Sequence, residues 1–168
     1  MKKKILIFGG TGLLGINFLD YFYKDFEITV NYNSKKFFHP NLKYIKVNLN
    51  KHDDILNSIN KIKPDIIVNA CAKTNIDWCS ANPKISYAIN VSLAEKLAEI
   101  CDNNGIYFVQ VSSDHLFSGK VKFKSEKHKK SPLNEYAKQK SKAEDLVIKK
   151  NKNALIIRTN FFGHSQDK

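Results

Sequence analysis

Short apolar runs rich in β-branched residues alternate along this chain with longer stretches whose apolar residues return every three or four positions. The first pattern suits strands buried on both faces, the second suits helices with one apolar stripe, and their alternation predicts a parallel sheet covered on both sides. Strands are expected at Lys4 to Phe8, Glu27 to Asn31, Lys43 to Val47, Asp65 to Asn69, Tyr107 to Val111 and Ala154 to Arg158. From Asn82-Pro83 onward, Ile85, Ile89, Leu93, Leu97 and Ile100 recur at steps of four and three. That spacing predicts one helix with proline in its first turn, ended by Asn103-Asn104-Gly105. Leu14, Phe18 and Phe22 predict a helix behind the first strand, and Pro132 is expected to open another. The lysine-rich stretch Val121 to Ser131 has no apolar period and reads as an exposed loop. The expected fold class is α/β, a doubly wound parallel sheet with helices on both faces. No repeat or linker divides the 168 residues, so one domain over 1–168 is expected.

The residues after the first strand sharpen that class. Gly9-Gly10-Thr11-Gly12-Leu13-Leu14-Gly15 follows Lys4 to Phe8 directly and leads into the first helix. A glycine-rich turn in that position holds a dinucleotide pyrophosphate at the helix N-terminus. Gly9 permits the tight turn, Gly12 lets the pyrophosphate approach, and Gly15 lets helix and strand pack closely. A Walker loop is excluded because no Gly-Lys-Ser/Thr follows. The fold is therefore expected to be Rossmann-like, with NADP(H) or NAD(H) as cofactor. After the second strand, Val30-Asn31-Tyr32-Asn33-Ser34-Lys35-Lys36 offers no carboxylate to repel a 2′-phosphate. Ser34, Lys35 and Lys36 can meet one, which favours NADP(H) over NAD(H).

A formal net charge of +12 raises the question of a polyanionic partner. Arg158 is the only arginine, and the lysines are scattered over the whole chain without interleaved aromatics. A solvated lysine surface is expected, with no nucleic-acid partner. No apolar run approaches the roughly 18 residues that cross a bilayer, so no membrane partner is expected. The basic start, Met1 to Lys4, leads into an apolar stretch too short for a signal peptide before Gly9. Cys71, Cys79 and Cys101 form no Cys-x-x-Cys pair and leave an odd thiol. Neither a disulfide framework nor a metal site is expected, and reduced thiols point to a cytoplasmic location.

Candidate chemistry lies after the fifth strand, where Ser112-Ser113-Asp114 is followed later by Tyr136-Ala137-Lys138-Gln139-Lys140. Four residues apart on a helix, Tyr136 and Lys140 share a face, where the ammonium can lower the phenol's pKa and make it a usable acid or base. Open parallel sheets bind ligands at the carboxyl ends of their strands, the edge where Ser113 falls.

Several segments in order make the chain resemble the extended short-chain dehydrogenase/reductase family, in its dTDP-4-dehydrorhamnose reductase-like branch. They are the Gly9 to Gly15 loop, Val68-Asn69-Ala70-Cys71-Ala72, Asn90-Val91, Ser112 to Gly119, Pro132 to Lys140 and Arg158-Thr159-Asn160-Phe161-Phe162-Gly163. The resemblance implies that Tyr136 gives a proton to a substrate carbonyl oxygen, Ser113 hydrogen-bonds that oxygen, and Lys140 holds the nicotinamide ribose and tunes Tyr136. It implies a cofactor site built from Gly9, Thr11, Gly12, Leu13, Leu14, Gly15, Asn31, Ser34, Lys35, Asn48, Leu49, Asn69, Ala70, Cys71, Ala72 and Asn90, together with Tyr136 and Lys140. Main chain near Thr159 to Phe162 would also line the cleft. Asn48 stands where the family commonly has the aspartate that meets the adenine amino group, and its carbonyl can accept the same bond. Dehydratases of the superfamily place Asp-Glu after the catalytic hydroxyl residue; Asp114-His115 stands here, which favours reduction over dehydration. His115 is expected to pack on the strand's edge.

The implied activity is reduction of a nucleotide-linked 4-keto-6-deoxy sugar. Family members continue past Arg158 to Gly163 into a smaller substrate domain, and that domain is expected to be absent here. The alternative is a non-catalytic dinucleotide-binding partner, since the branch includes a regulatory subunit of methionine adenosyltransferase. A homo-oligomer or a partner subunit is compatible with either reading.

Overall fold

The computed structural model describes residues 1–12, 18, 21–32, 39–119 and 124–160. Its strands are β1 (Lys4–Phe8), β2 (Glu27–Tyr32), β3 (Lys43–Lys46), β4 (Ile66–Asn69), β5 (Tyr107–Ser113) and β6 (Leu155–Thr159). They form one sheet in the order β3-β2-β1-β4-β5-β6, with every neighbouring pair parallel. This is the Rossmann order, with its reversal of direction between β1 and β4. Each strand lies within about two residues of its expected place, and β5 runs on to Ser113.

β1 explains why the sheet is covered on both faces. Its side chains alternate, so Leu6 and Phe8 enter one apolar cluster while Ile5 and Ile7 enter another with Ile28 and Val30. The first cluster is closed by Ile55 and Ile59 of α1 (His52–Ile62), Leu93, Leu97 and Ile100, and Ala143 and Val147. The second takes Phe18, whose ring lies 4.7 Å from that of Phe22. Leu14, the third residue of that expected stripe, lies outside the described residues.

The helix expected from Pro83 is interrupted. After the short α2 (Ile76–Ala81) come α3 (Pro83–Tyr87), a π turn over Ala88–Ser92, and α4 (Leu93–Asn103). In the π turn the Leu93 N–H donates to the Ala88 carbonyl, one residue further back than in an α-helix. That extra residue rotates the preceding helix by about 100° relative to α4. Ile85 consequently stands 55% exposed, and the inward polar positions are Ser86 before the turn and Asn90 within it.

The helix expected at Pro132 begins later, as α5 (Glu135–Lys150). Asn134 is its cap, accepting the Ala137 N–H at 2.8 Å. Lys124 to Ser131 form neither helix nor strand and are mostly exposed, as expected of a loop. Lys130 ties that loop to α5 through Asp145 at 2.6 Å and the Ser141 carbonyl at 3.0 Å. No helix among the described residues is long and apolar enough to cross a membrane.

Candidate dinucleotide cleft and catalytic cluster

The glycine turn sits where the strand order reverses. Gly9 adopts φ +82, and a Cβ there would lie 2.6 Å from the Cys71 nitrogen and 2.7 Å from the Ala70 carbonyl carbon. The turn at the end of β1 thus presses backbone against the loop leaving β4, a contact only glycine permits. Gly10 is equally constrained, since its Cβ would meet Val30 Cγ1 at 2.5 Å. At Gly12 an added Cβ would meet, among the described residues, only the Gly9 oxygen at 3.4 Å. Its N–H donates to that same oxygen at 3.1 Å and closes the turn.

A cleft of about 800 Å³ opens above this turn. Nine of the expected cofactor residues line it: Gly9, Thr11, Gly12, Asn31, Asn48, Leu49, Ala70, Cys71 and Ala72. Leu13, Leu14, Gly15, Ser34 and Lys35 fall outside the described residues. Lys46, Asp54, Lys73 and Ile89 also line the cleft and were not anticipated from the sequence. Lys46 closes β3, so counting the last residue of that strand as cleft lining would have included it, and Lys73 follows the expected Ala72 directly in the loop after β4. An open glycine backbone at the switch point of a parallel sheet fits a dinucleotide pyrophosphate.

Asn69 and Asn90 are placed differently. Both are 1% exposed and bonded within the protein. Asn69 accepts from the Cys71 N–H at 3.2 Å and donates to Gln110 Oε1 at 2.8 Å. Asn90 accepts from the Lys73 N–H at 2.8 Å and donates to the Lys73 carbonyl at 3.0 Å. They therefore shape the loop that forms the cleft wall.

The three candidate catalytic residues meet at the end of β5. Ser113 closes that strand, while Tyr136 and Lys140 occupy successive turns of α5. All three are at most 8% exposed. Burial raises the Tyr136 phenol above its usual value, and Ser113, as hydrogen-bond partner, pulls the other way. The phenol is thus held protonated through the neutral range, as a proton donor requires. This differs from the expected lowering by Lys140, whose ammonium donates instead to the Val111 carbonyl at 2.6 Å. Burial brings that ammonium down to about 8, against the opposing pull of Glu144 and Cys71. Lys140 in turn acts on the thiol of Cys71, which burial pushes up to about 12. Ser113, Tyr136 and Lys140 do not line the cleft themselves; the glycine turn after β1 and Ser113 at the end of β5 lie at the same carboxyl edge of the sheet, on either side of β4. His115 stacks edge-on to Tyr136, with ring centroids 6.3 Å apart, and packs at the strand's end as expected.

A broader groove of about 1390 Å³ runs from Asp114 and His115 past Glu144 to Ile156, Ile157 and Arg158. None of Ser113, Tyr136 and Lys140 lines it. Its most ordered feature is Glu144, which receives Arg158 through two bonds at 2.9 and 2.8 Å and lies 3.4 Å from Lys130. Among the described residues no group of three or more His, Cys, Asp or Glu side chains gathers as a metal would need.

Comparison with known proteins follows the same outline. A probable low-salt glycan biosynthesis reductase of Haloferax volcanii is 30% identical over 117 residues, which cover 69% of this chain and 39% of that protein. Methionine adenosyltransferase 2 subunit beta of Rattus norvegicus is 30% identical over 159 residues, covering 94% of this chain and 46% of that protein. The structure of a hypothetical dTDP-4-dehydrorhamnose reductase from Sulfolobus tokodaii superposes with a TM-score of 0.84 at 28% identity, over 94% of this chain and 55% of that one. The chain spans less than half the length of either curated relative. Residues 2–167 match the family described as the RmlD substrate binding domain, and the chain belongs to that family.

Proposed function

We propose that this chain binds a nicotinamide dinucleotide along the cleft at the β1–β4 switch point and forms the cofactor-binding part of a reductase for a nucleotide-linked 4-keto-6-deoxy sugar. The observation that carries this reading is the glycine turn pressed against the loop after β4, with Ser113 at the carboxyl end of the next parallel strand, β5, on the same edge of the sheet. When bound, the dinucleotide supplies a hydride to the carbonyl carbon. Tyr136 gives its proton to the carbonyl oxygen, and Ser113 holds that oxygen by a hydrogen bond. Lys140, held by its bond to the Val111 carbonyl, orients the nicotinamide ribose. Asn48 and Leu49 meet the adenine end, and Asn69 and Asn90 act through the loop they hold.

NADP(H) is favoured over NAD(H). Asn31 stands at the carboxyl end of β2 in place of a carboxylate, and Lys46 adds a cation to the same end of the cleft. Ser34 and Lys35 would complete this anion-binding edge. The unpaired state of Cys71, Cys79 and Cys101 supports a cytoplasmic, reducing setting.

The likeness to the methionine adenosyltransferase subunit extends over 94% of this chain and supports a second reading, a dinucleotide-holding partner subunit without turnover. One pair of measurements separates the two. Calorimetry with NADPH and NADH is expected to give tighter binding for NADPH, and a nucleotide-linked 4-keto-6-deoxy sugar is expected to drive NADPH oxidation. Binding without oxidation supports the partner subunit, and absence of binding by either dinucleotide overturns both.

A further inference from the structure

Gln139 lies between Tyr136 and Lys140 on α5, is 2% exposed, and belongs to none of the roles above. A buried primary amide offers two donors and a two-lone-pair acceptor, and leaving them unsatisfied is costly. Here they are engaged on three sides. Nε2 donates to Ser86 Oγ at 2.9 Å, to Glu135 Oε1 at 3.0 Å and more weakly to the Pro83 carbonyl at 3.3 Å. Oε1 accepts from Asn90 Nδ2 at 2.9 Å.

The bond to Asn90 is the consequential one. Asn90 stands in the π turn and grips both the N–H and the carbonyl of Lys73. Lys73 lines the cleft beside Ala72. A continuous series of hydrogen bonds, buried at Gln139–Asn90 and part-buried at Asn90–Lys73, thus runs from the catalytic turn of α5, through one amide on the π turn, to the peptide of a cleft-wall residue. The π turn has a reason in this arrangement: a regular α-helix through Ala88–Ser92 would rotate Asn90 away from either Lys73 or Gln139.

We propose that Gln139 is a positioning residue that fixes the cleft wall at Lys73 through Asn90, so that the catalytic turn and the dinucleotide cleft keep one relative placement. This rests on the dinucleotide reading for its effect on binding, whereas the coupling itself is a property of the protein alone.

Gln139→Met, close in volume and without hydrogen-bonding capacity, tests both parts on the whole chain. Hydrogen exchange is expected to show the Lys73 amide opening about tenfold faster, the factor of one buried hydrogen bond, while the β1 amides keep their protection. The NADPH dissociation constant is expected to rise about tenfold. Unchanged Lys73 exchange in a folded Gln139→Met chain, or acceleration equal to that in β1, overturns the coupling. Gln139→Glu combined with Glu135→Gln retains an oxygen for Asn90 without setting two carboxylates 3.0 Å apart, and is expected to keep the Lys73 amide protected within about threefold; loss of that protection in the folded double variant also overturns it, and this variant decides the matter if Gln139→Met does not fold. If the parent binds neither dinucleotide, the functional reading fails while the exchange measurement still judges the coupling.

Discussion

The Lys140 ammonium sits 2.6 Å from the carbonyl oxygen of Val111, two residues before Ser113 on the same strand. Its ordinary value of 10.5 falls to about 8 because the charge is buried. Between those two values the folded chain holds fewer protons than the unfolded one, so stability rises with pH across that window. Below it, the buried charge destabilises the fold by about 3 kcal/mol. Lys140→Met removes this dependence. Relative to the parent, the variant is expected to be most stable near pH 7 and to lose that advantage by about pH 10. Urea unfolding of both chains over that range checks it, and a constant difference would contradict the burial of a titrating charge.

Tyr136→Phe is expected to lower sugar-dependent NADPH oxidation by about 10²–10⁴-fold, the range of a single general acid. The phenol takes no part in the glycine turn, so NADPH affinity should stay within about twofold. Activity unchanged in this variant would remove Tyr136 from the chemistry.

Gly9 and Gly12 should respond oppositely to alanine. At Gly9 the new methyl meets the Cys71 backbone at 2.6 Å in a left-handed conformation, and a loss of more than about 2 kcal/mol is expected in thermal unfolding. Gly12→Ala places its methyl where, among the described residues, only the Gly9 oxygen comes within 4 Å, so the fold should keep its stability while dinucleotide affinity drops about tenfold. A Gly12→Ala chain with parental NADPH binding would show that the pyrophosphate lies elsewhere.

Glu144 is nearly enclosed, with Arg158 bonded to it twice and Lys130 beside it. Burial alone would raise its carboxyl, but the Arg158 bonds and charge outweigh it and hold the group below its usual value. A depressed carboxyl contributes stability that is present above about pH 4.5 and is lost as pH falls through the folded value. Glu144→Ala is expected to cost about 2–3 kcal/mol at pH 7, less than for a fully enclosed pair because Arg158 keeps some access to water. Acid titration monitored by circular dichroism should show a shallower low-pH limb in the variant than in the parent.

The strands and the glycine turn were legible because each depends on local pattern. Buried β-branched runs and a Gly-Gly-Thr-Gly turn carry their physics in a few consecutive residues. The same holds for the pairing of Tyr136 with Lys140 on one helix face. What escaped was decided by contacts distant in the chain. The periodic stripe through Ile85 and Ile89 looks like one helix, yet Asn90 must reach Lys73 and Gln139, and the π turn that this requires leaves no mark in a hydrophobic period. Pro132 can open a helix, but Asn134 competes as a better cap, three residues before the Ala137 amide it accepts. The direction of the Tyr136 shift is not legible in the spacing, which places Lys140 nearby without showing that burial raises the phenol or that the Val111 carbonyl accepts the Lys140 hydrogen bond.

The contact between Gly9 and the loop at Ala70 and Cys71 also bears on the time at which the binding site comes into being. β1 is a central strand whose ladder needs β2 on one side and β4 on the other. Ala70 donates to the Phe8 carbonyl at 2.8 Å, closing a span of over sixty residues. A ribosome that has emitted β1, β2 and β3 has therefore made the glycine segment but not its backing. Long-range parallel pairing of this kind is slow, and the turn acquires its working shape in the late, cooperative step of folding. A nascent or partly unfolded chain would have no competence for dinucleotides, so the ligand can act as a stabiliser only of molecules that have already finished folding.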